Sequence, residues 1–252
     1  PEEGEQWAAI DFSQQEPRIL VHYAHVYGKT RGIELEGASE FVKAYNEKPE
    51  TDFHSLVAEM ASIPRKQAKT INLGLIYGMG VNKMSEELDI DVDEAKVLVK
   101  QYHARVPFVK GLMSGVMNRL NDKTSGGSLR SLLGRKCRFD SWEPDTFAMN
   151  KALPFKEAVA AYGPTTRLKR AFTYKALNRL IQASAADMTK KAMVQLHKMG
   201  KLPLLQIHDE LAMSVTNLEE AQEIAKVMEN AVPLEVPNVC DIEMGPSWGE
   251  AK

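Results

Sequence analysis

The chain has 252 residues, 44% hydrophobic and 26% charged, enough to build the core of one large domain or two lobes of an ordinary soluble globule. No signal peptide is visible, and no apolar run approaches the ~20 residues needed to span a bilayer. A formal net charge of −2 gives no global signature of nucleic-acid binding, so any such contact must come from local patches.

In chain order, residues 7–12 form a short apolar run that predicts a buried strand, with Asp11 near its end. Alternation puts Trp7, Ala9, Asp11 and Ser13 on one face. Pro17 suits a first helical turn, which predicts a helix through Tyr27. Polar sequence with Gly32 and Gly37 leads to a helix near 53–61. Pro64 introduces a central helix over 65–77 that ends against Gly78 and Gly80. Amphipathic stretches follow at 91–104 and 108–121. SLRSLLGRKCRF predicts a hairpin closed near Gly134. Residues 141–164, rich in proline and aromatics, read as an irregular excursion, and 167–199 as one long helical stretch, broken at most once. Residues 204–215 form the strongest hairpin candidate, with His208, Asp209 and Glu210 at its tip. Asn217 and Glu220 make an N-cap pair opening a helix to about Asn230, and a last strand is expected over 239–244. Strands at both ends around a helical middle imply an α+β platform with a helical insertion. Cys137 and Cys240 lack metal-type spacing and read as reduced packing thiols, consistent with an intracellular protein.

Four segments carry chemistry. Arg65, Lys69, Leu73 and Tyr77 are each four apart and form one ridge of the central helix. Spacing alone leaves that ridge open to two readings: a solvated face with paired carboxylates, or a cationic rail for a polyphosphate. The His-Asp-Glu tip reads either as a solvated turn or as acids held rigidly between two apolar arms, which suits hard oxygen ligation of a metal. Asp11, at the end of its own strand, is the natural second ligand. TRLKRAFTYK carries several cations and no acid, which fits a solvated basic face or a surface that tracks a nucleic-acid backbone.

Together these segments resemble the polymerase core of the family A DNA polymerases, above all those of bacteriophages. DFSQQEPR is similar to the family's first palm motif, RKQAKTINLGLIYG to its fingers-helix motif and QIHDEL to its second palm motif. The resemblance continues through GPSWGEAK. It implies an antiparallel palm sheet carrying the catalytic hairpin (residues 1–27 and 173–252), a largely helical fingers insertion (28–172), and thumb and 3′–5′ exonuclease domains lying outside this chain. The chain is then expected to be a trimmed portion of a longer polymerase, or one half of a split one completed by an upstream polypeptide.

The resemblance also assigns roles. Asp11 and Asp209, with the Phe12 carbonyl, would hold two Mg²⁺ ions (Mn²⁺ as a substitute), and Glu210 would be a secondary acid. Arg65, Lys69 and His54 would bind dNTP phosphates. Leu73 and Tyr77 would lie beside the incoming nucleotide, and Glu16 would exclude a ribose 2′-hydroxyl. Arg18, Asn178, Gln182, His208, Tyr174 and Lys175 would contact primer-template DNA. Three positions depart from the pattern: Leu73 replaces an aromatic residue, Tyr174 an arginine and Phe12 a tyrosine. The expectation is DNA-templated DNA synthesis, without a membrane, in the cytoplasm of a bacterium or a phage-infected cell. The competing readings are a single-subunit RNA polymerase, opposed by Glu16 and by Glu210 in the HDE tip, and a non-catalytic DNA-binding or assembly subunit.

Overall fold

The computed structural model describes residues 1–122, 125–146 and 148–251. Its organising element is a four-stranded antiparallel sheet. Strand β1 (Gln6–Phe12) lies between β8 (Glu210–Val215) and β9 (Cys240–Gly245), with β7 (Leu205–Ile207) on the far side of β8. The first strand of the chain is therefore clasped by strands from its last fifty residues.

Period-two alternation divides this sheet into two faces. Ala8, Ile10 and Phe12 of β1 and Leu211, Met213 and Val215 of β8 are buried. They pack with the apolar side of α10 (Leu218–Glu229), whose Ala221, Ile224, Ala225 and Met228 are buried. The opposite face carries Trp7, Ala9 and Asp11. The register sets Asp11 directly across from Glu210 on one side and Asp241 on the other, so the three carboxylates form one row at the end of the sheet.

Helix α1 (Gln15–Arg31) follows β1 and ends at Gly32, whose φ of 63° gives the left-handed stop expected of a C-terminal glycine. It packs on α7 (Pro107–Asn121) and α9 (Ala176–Lys198). The helical insertion is built from α2 (Ala38–Glu47), α3 (Phe53–Ala61), α4 (Arg65–Ile76), α5 (Val81–Leu88), α6 (Val92–Arg105) and α7. The sequence reading lacked α2 and α5. Both are short, with glycine as N-cap and no side-chain cap, so neither carried a start signal.

The hairpin around Gly134 forms from β2 (Ser128–Arg130) and β3 (Lys136–Arg138). Buried Asp187 of α9 anchors it, accepting from the Ser131 hydroxyl and from Arg135 Nε at 2.9 Å. Two expectations need correction. Residues 141–164 are ordered structure: β4 (Ser141–Pro144) pairs with β5 (Leu153–Pro154), and α8 (Phe155–Tyr162) follows; Phe147 lies outside the described residues. Residues 167–199 do not begin as helix. β6 (Leu168–Arg170) pairs with β4, Arg170 stacks 4.4 Å over Trp142, and Phe172 turns the chain at φ 60° into a 3-10 turn (Thr173–Lys175) before α9 starts. Cation–aromatic stacking and strand pairing outweighed the weak helical pattern. Cys137 and Cys240 are half-buried and unpaired, and burial raises both thiol pKa values.

Candidate active site

The carboxylate end of the sheet is fixed by a tight hairpin. β7 and β8 are joined by His208 and Asp209 alone, and His208 holds φ at 54°, a left-handed conformation costing a non-glycine residue roughly 1 kcal/mol. Gln206 Nε2 donates to the His208 carbonyl at 2.6 Å and closes the turn. Because Asp11 pairs with Glu210, Asp209 sits one step from the residue facing Asp11. The charges register this proximity. Partial burial raises the Asp11 pKa from its ordinary value to about 6, and Asp209, Asp241, Glu210 and Glu243 push it the same way. Burial also raises the Asp209 pKa, with Glu210 adding to the effect and His208 opposing it.

Such crowding fits a divalent cation, which would relieve both the desolvation and the repulsion. Among the described residues no three His, Cys, Asp or Glu side chains form a ready-made metal cluster. The donors this end of the sheet could offer a cation are the two carboxylates Asp11 and Asp209 and a backbone oxygen. Ser13 N–H bonds to the Val239 carbonyl on the β9 side, so by strand alternation the Phe12 carbonyl faces the β8 side, where pairing has already ended at Asp11. Phe12 contributes its ring to the core and leaves that oxygen outside the ladder.

A second group closes over the first. The Tyr77 hydroxyl, at the C-terminal end of α4, donates to Glu16 at 2.9 Å and 3.2 Å, and Gln182 of α9 donates to the same carboxylate. This ties three expected residues from three elements. Burial and the Glu16 charge push the Tyr77 pKa up to about 12, so it remains a donor. Burial raises the Glu16 pKa against those two hydrogen bonds, and the Asp209 charge adds to the rise, which places this trio beside the carboxylate row. Asn178, one turn before Gln182 on α9, is half-buried. Gly78, at φ 71°, lets the end of α4 approach the Tyr174 backbone: a Cβ there would lie 3.1 Å from the Tyr174 carbonyl oxygen. Tyr174 is half-exposed, with the Lys175 ammonium 5.5 Å from its ring centre.

The expected cations lie on α4. Lys69 and Arg65 are exposed on α4, with Leu73 half-buried between Lys69 and Tyr77. Arg65 Nε lies 2.5 Å from Asp52 Oδ2. Asp52 also caps α3, accepting from His54 N–H at 3.0 Å and Ser55 Oγ at 2.7 Å. These bonds, above all those to Arg65, hold its pKa below the usual carboxylate value despite burial. The fourth residue of the DFSQ segment links the two regions: Gln14 Oε1 accepts from Phe53 N–H at 2.8 Å, tying the start of α3 to the end of β1.

Arg18 is elsewhere. It was expected against primer or template, but it is 1% exposed. Its guanidinium donates to the carbonyls of Ser13 at 2.8 Å, Pro237 at 2.6 Å and Pro49 at 2.7 Å, and lies 4.7 Å from the Tyr45 ring centre. Buried in this way, it clamps three loops around the carboxylate end of β1. The sequence reading also missed Asp52, Asp241 and Glu243. Asp52 had a visible signal, an N-cap residue two positions before His54. Asp241 and Glu243 alternate along β9, but their meaning depends on a pairing with β1 that no local pattern reveals.

An antiparallel sheet with carboxylates gathered at its end, tied through Glu16 and Tyr77 to a helix that carries two exposed cations on one ridge, is the arrangement of the palm-and-fingers class of polymerase folds. Within that class the chain belongs to DNA polymerase family A, whose profile matches residues 1–250. It is similar to a DNA-directed DNA polymerase of Pseudomonas phage M6, at 36% identity over all of this chain and 39% of the relative. It is also similar to the thermostable DNA polymerase I of Thermus aquaticus, at 31% identity over all of this chain and 28% of that protein. Among solved structures, the POL domain of Pol1 from M. smegmatis, in complex with DNA primer-template and dNTP, superposes with a TM-score of 0.72. That match has 29% identity and covers 99% of this chain and 41% of the other. The chain thus spans well under half the length of these relatives.

Proposed function

We propose that the chain is the catalytic core of a DNA-templated DNA polymerase acting in DNA replication, in a phage setting. The primer 3′-hydroxyl oxygen attacks the α-phosphorus of a dNTP. The bond from that phosphorus to the bridging oxygen breaks, pyrophosphate leaves, and the hydroxyl proton is lost to solvent. The observation that carries the reading is the Asp11–Asp209 pair lying beside the Glu16–Tyr77–Gln182 trio. A site for charge neutralisation thereby adjoins a site that can sense a sugar edge.

Asp11, Asp209 and the Phe12 carbonyl would hold two Mg²⁺ ions, with Mn²⁺ as a substitute. Bound there, such ions lower the pKa of the attacking hydroxyl and neutralise charge on the phosphates. Arg65 and Lys69 draw the triphosphate to α4, and His54 lies beside them. Arg65 must exchange Asp52 for a phosphate oxygen or share itself between the two. Glu16, held by Tyr77 and Gln182, occupies the space a 2′-hydroxyl would need, while Leu73 and Tyr77 flank the incoming nucleotide. Asn178, Gln182, His208, Tyr174 and Lys175 line the side on which the primer-template duplex would lie. In this reading residues 1–27 and 173–252 are palm and 28–172 fingers, and upstream polypeptide supplies thumb and exonuclease. No helix among the described residues is long and apolar enough to cross a membrane.

Primer extension on a primed template tests this. dNTPs with Mg²⁺ should be incorporated well ahead of rNTPs, and chelation should stop the reaction. Preferential use of rNTPs, or no template-directed extension with the upstream polypeptide supplied, would overturn it.

A further inference from the structure

The ring of His54 is held by a chain of buried polar groups running through the fingers. Its Nδ1 lies 3.0 Å from Nδ2 of Asn72 on α4, and the Tyr102 hydroxyl on α6 donates to Oδ1 of the same amide at 2.6 Å. Asn72 and Tyr102 are each 1% exposed, so their polar atoms must find partners inside the protein. Burial raises the Tyr102 pKa, and the phenol keeps its proton. That proton needs an acceptor, and Asn72 Oδ1 is the one paired with it among the described residues. Turning the amide over would set its NH₂ against the phenol and leave a sealed hydroxyl proton with nothing to accept it. The amide orientation is therefore fixed, and it presents an N–H to His54 Nδ1. A ring nitrogen that accepts carries no proton, so the proton of the neutral imidazole sits on Nε2. Nε2 has no protein partner among the described residues, yet it is not sealed from water. The backbone end of His54 is fixed as well, by the Asp52 cap.

We propose that Tyr102 and Asn72 are positioning residues that lock His54 as its Nε2–H tautomer, so that it meets an incoming triphosphate as a neutral, directional donor between two full cations. The proposal rests on the polymerase reading for the identity of the ligand. The lock itself does not. Burial, Arg65 and Lys69 all disfavour a charged ring, against the opposing Asp52 carboxylate. The division of labour follows from the chemistry. Arg65 and Lys69 attract any polyanion, whereas a neutral N–H rewards only an oxygen placed on its axis. Because Asn72 rides on α4, any rotation of that helix carries the lock with it.

Nitrogen-15 NMR of the histidine rings, in the whole chain without nucleotide at pH 7.5, reads the tautomer directly. The wild type should show Nε2–H. Asn72→Asp, whose carboxylate can only accept, should move the proton to Nδ1, and Tyr102→Phe should free the amide and mix the two forms. Titration with Mg²⁺–dTTP should show affinity falling about fivefold in Tyr102→Phe, the size of one weakened hydrogen bond. The Tyr102→Phe loss should vanish in a His54→Ala background. An Nδ1–H tautomer in the wild type, an unmoved proton in Asn72→Asp, or an equal Tyr102→Phe loss without His54 would each overturn the proposal. The Nε2–H tautomer in a protein that binds no dTTP would keep the lock and overturn its triphosphate role, whereas the polymerase reading falls only if template-directed extension fails with the upstream polypeptide supplied, so the two failures are separable.

Discussion

Replacing Asp11 with asparagine should stabilise the metal-free protein while destroying its activity. The Asp11 carboxyl has its pKa raised from 3.8 to about 6, by burial first and then by Asp209, Asp241, Glu210 and Glu243. At about 1.4 kcal/mol per pH unit this corresponds to roughly 3 kcal/mol of unfavourable charge in the folded state. Asp11 is only half-buried, so solvent screening reduces the figure to about 1–1.5 kcal/mol. The sign is that of an acid whose folded pKa lies above its unfolded one: the penalty is complete above about pH 6, shrinks as pH falls, and is gone below about 3.8. An asparagine side chain at this position carries no such charge. With EDTA present, thermal unfolding of Asp11→Asn at pH 7.5 should occur about 2–6 °C above the wild type, using ~2–4 °C per kcal/mol for a chain of this size. The gap should close near pH 4. A lower melting temperature at pH 7.5, or a gap independent of pH, would refute the claim that this carboxylate is held at a cost.

Three further outcomes follow from the same geometry. His208→Gly relieves a left-handed φ of 54° and should stabilise the fold by up to about 1 kcal/mol, measured by urea unfolding, while slowing extension. Glu16→Ala removes the acceptor shared by Tyr77 and Gln182; rNTP incorporation relative to dNTP should rise at least about tenfold, read by competitive primer extension, and unchanged discrimination would remove Glu16 from the sugar edge. Glu220 bonds Lys201 and Thr216, which hold its pKa at about 2 against an ordinary 4.5. Its contribution is therefore present above about pH 4.5 and lost as pH falls toward 2. Glu220→Gln should destabilise the protein at pH 7 and converge with the wild type in acid.

Much of this architecture was legible because its signals are local. Asp11 ends an apolar strand, His208 to Glu210 sit between two apolar arms, and Arg65, Lys69, Leu73 and Tyr77 repeat every four residues. Each predicts its own placement. Asn217 and Glu220 marked a helix start that the structure keeps, with Glu220 N–H donating to Asn217 Oδ1 at 3.0 Å. What stayed hidden depends on contacts remote in sequence. Arg18 closes the DFSQQEPR segment and was expected against DNA, yet its three carbonyl partners include Pro237, more than two hundred residues away. Asp241 acquires meaning only through its pairing with Asp11. Arg170 and Phe172 lie in a basic stretch of helical appearance that strand pairing and a stacked tryptophan drew into β6 and a turn.

The central claim is that two acids from opposite ends of the chain serve a single phosphoryl-transfer centre. Its most direct test is single-turnover dNTP incorporation by Asp209→Asn on a primed template, with Mg²⁺ and the upstream polypeptide supplied. Incorporation should fall by about three orders of magnitude or more while DNA affinity changes little. Incorporation at the wild-type rate would contradict the account.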